Sequence, residues 1–329
     1  MPGPLVDTFG RVVRKLRLSV TDRCNFRCAY CMPMQVSWIP RAEVLSYEEL
    51  TRVARISVQL GIQKIRLTGG EPTARKDIPH LVAQLKDLPG LQGLSMTTNG
   101  YFLKELAGPL REAGLRSLTV SLDTMDADRF HQLCRREALP QVLAGIEAAE
   151  RAGFAPIKIN TVVMRGVNED EVAEFVRRSR EGRWQVRFIE FMPLDGDHNW
   201  SRDKVVTADE MLAAARGVGP IEPLPGQDPS DPARVWRFTD GKGDFGIIAS
   251  VSKPFCQSCD RIRVTADGKI RNCLFSTEEY DLKGPLRSGG SDADVEAVLR
   301  DAVMRKKAGH LISLPGFQQP ERAMYAIGG

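Results

Sequence analysis

The sequence predicts an α/β fold in which six parallel strands, each accompanied by a helix, are followed by a smaller C-terminal unit. Three observations lead there. Strand-like and helix-like periodicities alternate six times through the first two thirds of the 329 residues. Several of those strands are apolar on one face and polar on the other. The composition then shifts at a proline-rich stretch, 222–232. Alternation of this kind places helices outside a parallel sheet.

The first strand is expected at 15–20, where Leu16, Leu18 and Val20 oppose Arg17, Ser19 and Thr21. A helix follows from Ser46, because Ser46-Tyr47-Glu48-Glu49 has the form of a capping box, and Gly61 sits where that helix should stop. The second strand, 63–67, sets Arg66 and then Thr68 against Ile65 and Leu67. The third, 93–97, sets Ser95 and Thr97 against Leu94 and Met96, and the fourth, 117–121, sets Ser117, Thr119 and Ser121 against Leu118 and Val120. In the fifth, 157–162, Lys158 and Asn160 oppose Ile157 and Ile159, and the sixth is expected at 185–191. Helices need the apolar faces, so the polar faces line an interior. A closed eight-stranded barrel fills its interior with bulky branched side chains; polar inner faces instead suggest an open, partial barrel around a ligand-filled lumen. An open doubly wound sheet is the alternative, although its strands would read as continuous apolar runs.

The lumen has a charge problem. An unpaired interior charge costs several kcal/mol, so Arg17, Arg66 and Lys158 each require an anion. Asp123 and Glu190 are expected to neutralise two of them, and Arg75 is expected to add to the cationic surplus. Ordinary ion pairs would account for such residues, but a polyphosphate would satisfy the surplus better, because guanidinium groups grip phosphate oxygens in a bidentate way.

Past the proline-rich stretch, strand-like runs are expected at 234–238, 245–251, 261–265 and 269–274. They divide the chain into a barrel domain, 1–220, and a small metal-centred domain, 221–329.

Six of the seven cysteines fall into two triads. Cys24-x3-Cys28-x2-Cys31 lets one loop wrap three thiolates around a metal centre. A structural zinc site wants four ligands, and no fourth Cys or His lies on this loop. The second triad is Cys256-x2-Cys259-x13-Cys273. On spacing alone it fits an iron–sulfur cluster or a zinc site that recruits Cys134 as fourth ligand. Otherwise Cys134 falls in a helical pattern and reads as a small buried apolar residue.

The chain is 42% hydrophobic and 27% charged, with a formal net charge of +4. That balance suggests a large core and does not suggest nucleic acid binding. No run of about twenty apolar residues that would span a membrane is present, and the grouped reduced cysteines read as cytoplasmic. No interface stripe chooses between a monomer and a homodimer. His80, His131, His198 and His310 are scattered, so no general acid or base stands out among them.

The Cys-x3-Cys-x2-Cys loop with Tyr30 before its last cysteine resembles the cluster loop of radical S-adenosylmethionine (SAM) enzymes. Asp7-Thr8-Phe9-Gly10-Arg11, Leu16-Arg17-Leu18-Ser19-Val20-Thr21-Asp22 and Thr68-Gly69-Gly70-Glu71-Pro72 resemble one branch, the GTP 3′,8-cyclase family of molybdenum cofactor biosynthesis. The likeness runs from Asp7 to the last residue. It implies a partial (β/α)6 TIM-like barrel of the radical SAM type with a small C-terminal iron–sulfur domain. It implies a [4Fe-4S] cluster on Cys24, Cys28 and Cys31 whose open iron is chelated by SAM, and a second [4Fe-4S] cluster on Cys256, Cys259 and Cys273 whose open iron faces the substrate.

The resemblance also distributes roles. Tyr30, Gly70, Glu71, Ser121 and Met192 would contact SAM, although Gly69-Gly70-Glu71-Pro72 alone reads as a plain strand-to-helix turn. Arg17, Arg66, Thr97, Lys158, Arg261, Ile262 and Arg263 would contact GTP, although Arg-x-Arg alone usually marks a solvated strand face. Gly328 and Gly329 would form a tail that reaches the active site and is needed for activity, with Arg17 the nominee for a final proton transfer. Flavodoxin or a reductase would supply electrons, and the next enzyme of the pathway would take the product. The alternatives are another radical SAM enzyme with an auxiliary cluster, such as one modifying a peptide, and a non-enzymatic iron–sulfur or zinc protein.

Overall fold

A twelve-stranded sheet organises the chain, and its first six strands are neighbours in chain order. The computed structural model describes residues 3–182, 184–312, 314 and 316–328. The strands and helices run β1 (Lys15–Ser19), α1 (Tyr47–Gln59), β2 (Lys64–Thr68), α2 (Ile78–Leu85), β3 (Gly93–Thr98), α3 (Leu103–Glu112) and β4 (Ser117–Ser121). There follow α4 (Ala127–Cys134), α5 (Leu139–Arg151), β5 (Ile157–Val163), α6 (Val172–Arg180), β6 (Trp184–Glu190) and α7 (Ala208–Arg216). The remainder comprises β7 (Ile221–Pro223), β8 (Arg234–Phe238), β9 (Asp244–Ile248), β10 (Arg261–Val264), β11 (Lys269–Arg271), β12 (Tyr280–Asp281), α8 (Lys283–Arg287), α9 (Asp292–Met304) and α10 (Met324–Ile327).

Strands β1 to β6 are all parallel, as the βα alternation requires. The sheet does not close on itself. Instead β10 joins it parallel to β1, and β9 joins parallel to β6. The two ends continue antiparallel, through β11 and β12 on one side and through β8 and β7 on the other. Residues 221–329 therefore supply strands to both edges of the same sheet, and the stretch expected to be wholly loop begins with β7.

The period-two reading of the strands holds. Leu16, Leu18, Ile65, Leu67, Leu94, Met96, Leu118, Val120, Ile157 and Ile159 are buried in one core with Leu50 and Val53 of α1, Leu81 of α2 and Val142 of α5. Burial at about 25 cal/mol per Å² of apolar surface makes this layer the main source of stability. The polar faces turn away from it. Helix α1 starts as expected, with Glu49 N donating to Ser46 Oγ at 3.2 Å and Ser46 N donating to the Glu49 carboxylate at 2.7 Å. The same reciprocal cap at Thr207 and Glu210 begins α7. Among the described residues, no helix is long and apolar enough to cross a membrane.

Candidate functional site

The loop after β1 carries the first cysteine triad, and the Gly69–Gly70 turn after β2 lies flat against it. Gly70 N donates to Thr21 O and Glu71 N to Arg23 O, each at 2.8 Å. A Cβ at Gly70 would sit 2.4 Å from the Asp22 carbonyl oxygen, and Gly69 has a φ of +148°. Only glycines permit this approach. It turns the Glu71 carboxylate inward, where it accepts from Thr73 N at 2.9 Å, Thr98 Oγ1 at 2.7 Å and Asn99 N at 2.6 Å. Asn99 in turn donates to Asn25 at 2.8 Å and lies 3.8 Å from Cys24 Sγ.

Tyr30 donates to Asp123 Oδ2 at 2.7 Å, and Val162 N donates to the other oxygen at 2.8 Å. Burial pushes Asp123 up to about 6. Burial, then the neighbouring Cys28, pushes the Cys24 thiol up to about 12, and burial raises Cys31. Such thiols become thiolates when a metal charge is present. Cys134, at the end of α4, is buried beside Cys28, and its carbonyl accepts from Arg27 N at 3.0 Å. It therefore belongs to the neighbourhood of the first triad, and the zinc alternative in which it completes the second triad is overturned. Among the described residues, no three His, Cys, Asp or Glu side chains converge closely enough to hold a single metal ion.

The second triad is enclosed by cations. Arg11, held by Asp7 at 2.6 Å, donates to the Cys256 carbonyl at 2.8 Å. Burial works to raise the Cys259 thiol, but Lys306 and Arg261 outweigh it and draw it down to about 7. The two triads thus differ in kind: the first is buried near Glu71 and Asp123, the second sits among positive charges.

One cavity of about 280 Å³ joins them. All six triad cysteines border it, together with Tyr30, Gly70 and Glu71 near the first triad. Arg17, Thr97, Ser121, Met192, Arg261 and Arg263 line the space between. Parallel pairing of β1 with β10 puts Arg17 opposite Arg263. Ile262, between the two arginines, is fully buried in the apolar core, which leaves only its backbone available to a ligand. Arg66 and Lys158 do not border the cavity; Arg66 lies behind Thr97, to which it donates at 3.1 Å, and also reaches Thr119 at 2.9 Å.

The expected counter-ions are elsewhere. Glu190 is spent on Ala208 N at 2.9 Å, Val251 N at 2.7 Å and Ser252 N at 2.8 Å, where it fixes the loops beyond β6. Asp123 serves Tyr30 and Val162. Neither neutralises Arg17, Arg66 or Lys158. Nor does Arg75 join the lumen, since it donates to the carbonyls of Val20 and Leu45 and stacks 4.2 Å over Tyr47. The Arg17 side chain has no hydrogen bond and no carboxylate partner among the described residues. Burial, then Arg263, Arg66 and Arg261, holds its guanidinium well below the ordinary arginine range. Burial and Arg187 draw Arg66 down to about 10, and burial, Arg187 and Arg66 draw Lys158 down to about 8. Asp231, from the loop before β8, is the carboxylate whose field opposes these shifts.

The chain's end reaches this site. Gly328 is buried with a φ of +78°, its carbonyl accepts from the Arg263 guanidinium, and a Cβ there would lie 2.3 Å from Ser19 Oγ. Gly329 lies outside the described residues.

Reasoning from sequence missed Arg187, Asn99, Asp231 and Lys306. Arg187 was within reach, since Gln185 and Arg187 alternate with Val186 and Phe188 on β6. The others depend on contacts between distant segments.

Comparison with known proteins accords with this geometry. Residues 18–178 match the Radical SAM superfamily and residues 184–312 match Molybdenum Cofactor Synthesis C. A GTP 3′,8-cyclase of Acidothermus cellulolyticus is 46% identical over 311 residues, covering 93% of this chain and 86% of the relative. The GTP 3′,8-cyclase 2 of Mycobacterium tuberculosis is 47% identical over 333 residues, covering 99% and 92%. Streptococcus suis SuiB bound to its precursor peptide SuiA superposes with a TM-score of 0.65 at 14% identity, over 96% of this chain and 76% of that one. SuiB bound to S-adenosylmethionine gives 0.63 at 13% identity, over 93% and 67%. At that identity the SuiB likeness shows a shared fold.

Proposed function

Because this chain belongs to the GTP 3′,8-cyclase family of radical SAM enzymes, we infer that its cavity converts GTP into (8S)-3′,8-cyclo-7,8-dihydroguanosine 5′-triphosphate for molybdenum cofactor biosynthesis. One observation carries the reading: both cysteine triads border a single cavity, and the arginine between them, Arg17, has no carboxylate partner among the described residues. A [4Fe-4S] cluster and SAM, held at Cys24, Cys28 and Cys31, supply one-electron cleavage of SAM and hydrogen abstraction from the substrate.

The protein's own residues position and shield. Tyr30, Gly70, Glu71, Ser121 and Met192 would surround SAM at the first triad. The Glu71 oxygens are already committed to Thr73, Thr98 and Asn99, so the carboxylate presents a fixed negative edge. At the far end Cys256, Cys259 and Cys273 would hold a second [4Fe-4S] cluster against the guanine. Arg17, Arg261 and Arg263, with Arg66, Lys158 and Arg187 behind them, would bind the triphosphate, with Thr97 and the backbone of Ile262 alongside. Holding reacting atoms in near-attack geometry can supply roughly 7–11 kcal/mol. Burial and neighbouring cations make the Arg17 proton easier to release than that of an exposed arginine, which suits it to deliver the last proton to the product. Gly328, held by Arg263, would keep Met324 and Tyr325 of the tail against the cavity, and Gly329 would extend the tail that the reaction needs.

The division at residue 220 is then functional: the N-terminal part activates SAM and the C-terminal part grips the base. A cytoplasmic monomer or homodimer, fed electrons by flavodoxin or a reductase and passing its product to the next enzyme of the pathway, completes the proposal. Anaerobic reconstitution tests it, with 5′-deoxyadenosine and the cyclised nucleotide measured with and without GTP. GTP-dependent formation of both is expected; 5′-deoxyadenosine formed equally without GTP, or no cyclised nucleotide, would overturn the reading.

A further inference from the structure

Lys306, in the turn after α9, is 5% exposed, and among the described residues it has no carboxylate partner. Its ammonium donates to Arg261 O at 2.9 Å and to Asn272 O at 2.8 Å, and lies 3.9 Å from Cys259 Sγ. A buried ammonium is costly unless an anion compensates it. Its third contact is the Cys259 sulfur.

The two carbonyls it holds belong to separate chain segments. Arg261 opens β10 two residues after Cys259, and Asn272 immediately precedes Cys273. Asn272 is itself anchored to α9 through Ala302 O at 3.0 Å. Arg11 extends the clamp to the third cysteine, donating to Cys256 O at 2.8 Å and to Lys307 O at 2.7 Å. At the first triad, by contrast, the Arg27 guanidinium goes to the carbonyls of Cys24 and Phe26, at 2.9 and 2.8 Å.

We propose that Lys306 is the positioning residue of the second triad: it ties the Cys259 and Cys273 segments together and fixes a positive charge against Cys259, making an iron–sulfur centre there easier to reduce than the one at the first triad. The proposal rests on the reading of Cys256, Cys259 and Cys273 as a cluster site. Net charge and hydrogen bonds at the sulfurs set the potential of such centres, and a fixed cation stabilises the more negative, reduced form.

The test is a redox titration of the reconstituted full-length protein followed by electron paramagnetic resonance, with metal content measured on every sample. In the unaltered protein, two iron–sulfur signals are expected, the second-triad centre titrating at the higher potential. Lys306→Met should keep its iron and shift that centre alone to lower potential, while Lys306→Arg should stay near the unaltered value. A Lys306→Met protein with full iron and an unmoved potential overturns the proposal. If Lys306→Met loses the second centre, recovery of iron and potential in Lys306→Arg supports the role of charge; loss in both variants overturns it. Zinc or no metal at the second triad of the unaltered protein defeats the cluster reading itself, a result separate from any effect of the variants.

Discussion

The Arg263 guanidinium donates a hydrogen bond to the carbonyl of Gly328, 65 residues further along the chain. This contact brings the C-terminal tail under β1 and β2, beside Ser19 and Thr68, at the same level as the Arg17–Arg263 register pair. Met324 and Tyr325, earlier in the same tail, border the cavity.

Gly328→Ala should expel the tail without unfolding the protein. The new Cβ would meet Ser19 Oγ at 2.3 Å and Thr68 Oγ1 at 2.8 Å, at a φ of +78° that disfavours L residues. Displacing a contact worth about 1.4 kcal/mol at the transition state lowers turnover about tenfold. Turnover should fall at least that far with iron content and melting temperature unchanged; wild-type turnover would remove the tail from the account.

Gly70→Ala should act on the first triad instead. A Cβ there would collide with the carbonyls of Asp22 and Arg23 at 2.4 and 2.5 Å, both backbone atoms that cannot swing aside. The expected outcome is loss of iron from the first centre, seen by metal analysis, while the second centre keeps its own. Retention of both centres with normal SAM binding would show that the loop tolerates displacement.

Arg17→Met should separate stability from function. Removing a buried cation that has no carboxylate partner among the described residues should stabilise the protein in phosphate-free buffer by roughly 1–3 kcal/mol, while GTP affinity falls at least tenfold. Urea unfolding and calorimetric titration report the two effects independently. A destabilised variant would mean that Arg17 has an anionic partner in the folded protein.

Lys158 predicts a pH dependence. Burial, Arg187 and Arg66 draw it from 10.5 to about 8, so between those values the unfolded chain holds a proton that the folded one has released. Its contribution to folding stability therefore rises with pH from about 8 to about 10.5. Triphosphate binding favours the charged ammonium, so GTP should bind with proton uptake near pH 8 and more weakly above it. Calorimetry in buffers of different ionisation enthalpy measures the uptake, and Lys158→Gln should abolish it. Uptake that survives in the variant would assign the effect to another group.

Much of the barrel was legible because it rests on local rules. Alternating strand and helix signals located all six parallel strands to within a residue or two, and Ser46 with Glu49 announced α1. The two triads were legible as spacings. What the sequence hid were partners. Asp123 and Glu190 had the right charge and strand positions to neutralise the lumen, but they are consumed by Tyr30 and by the backbone of Val251 and Ser252. Arg75 looked like another lumen cation until Tyr47 claimed it. Lys306 was invisible for the same reason: its significance comes from Arg261 and Asn272, 45 and 34 residues away, and no local pattern encodes such a meeting.

The most direct measurement is electron paramagnetic resonance on the anaerobically reconstituted full chain, recorded alone, with SAM and with GTP. Two four-iron signals are expected, one perturbed by SAM and the other by GTP. A single signal, or two signals of which neither responds to GTP, would contradict a cavity built between two open iron–sulfur sites.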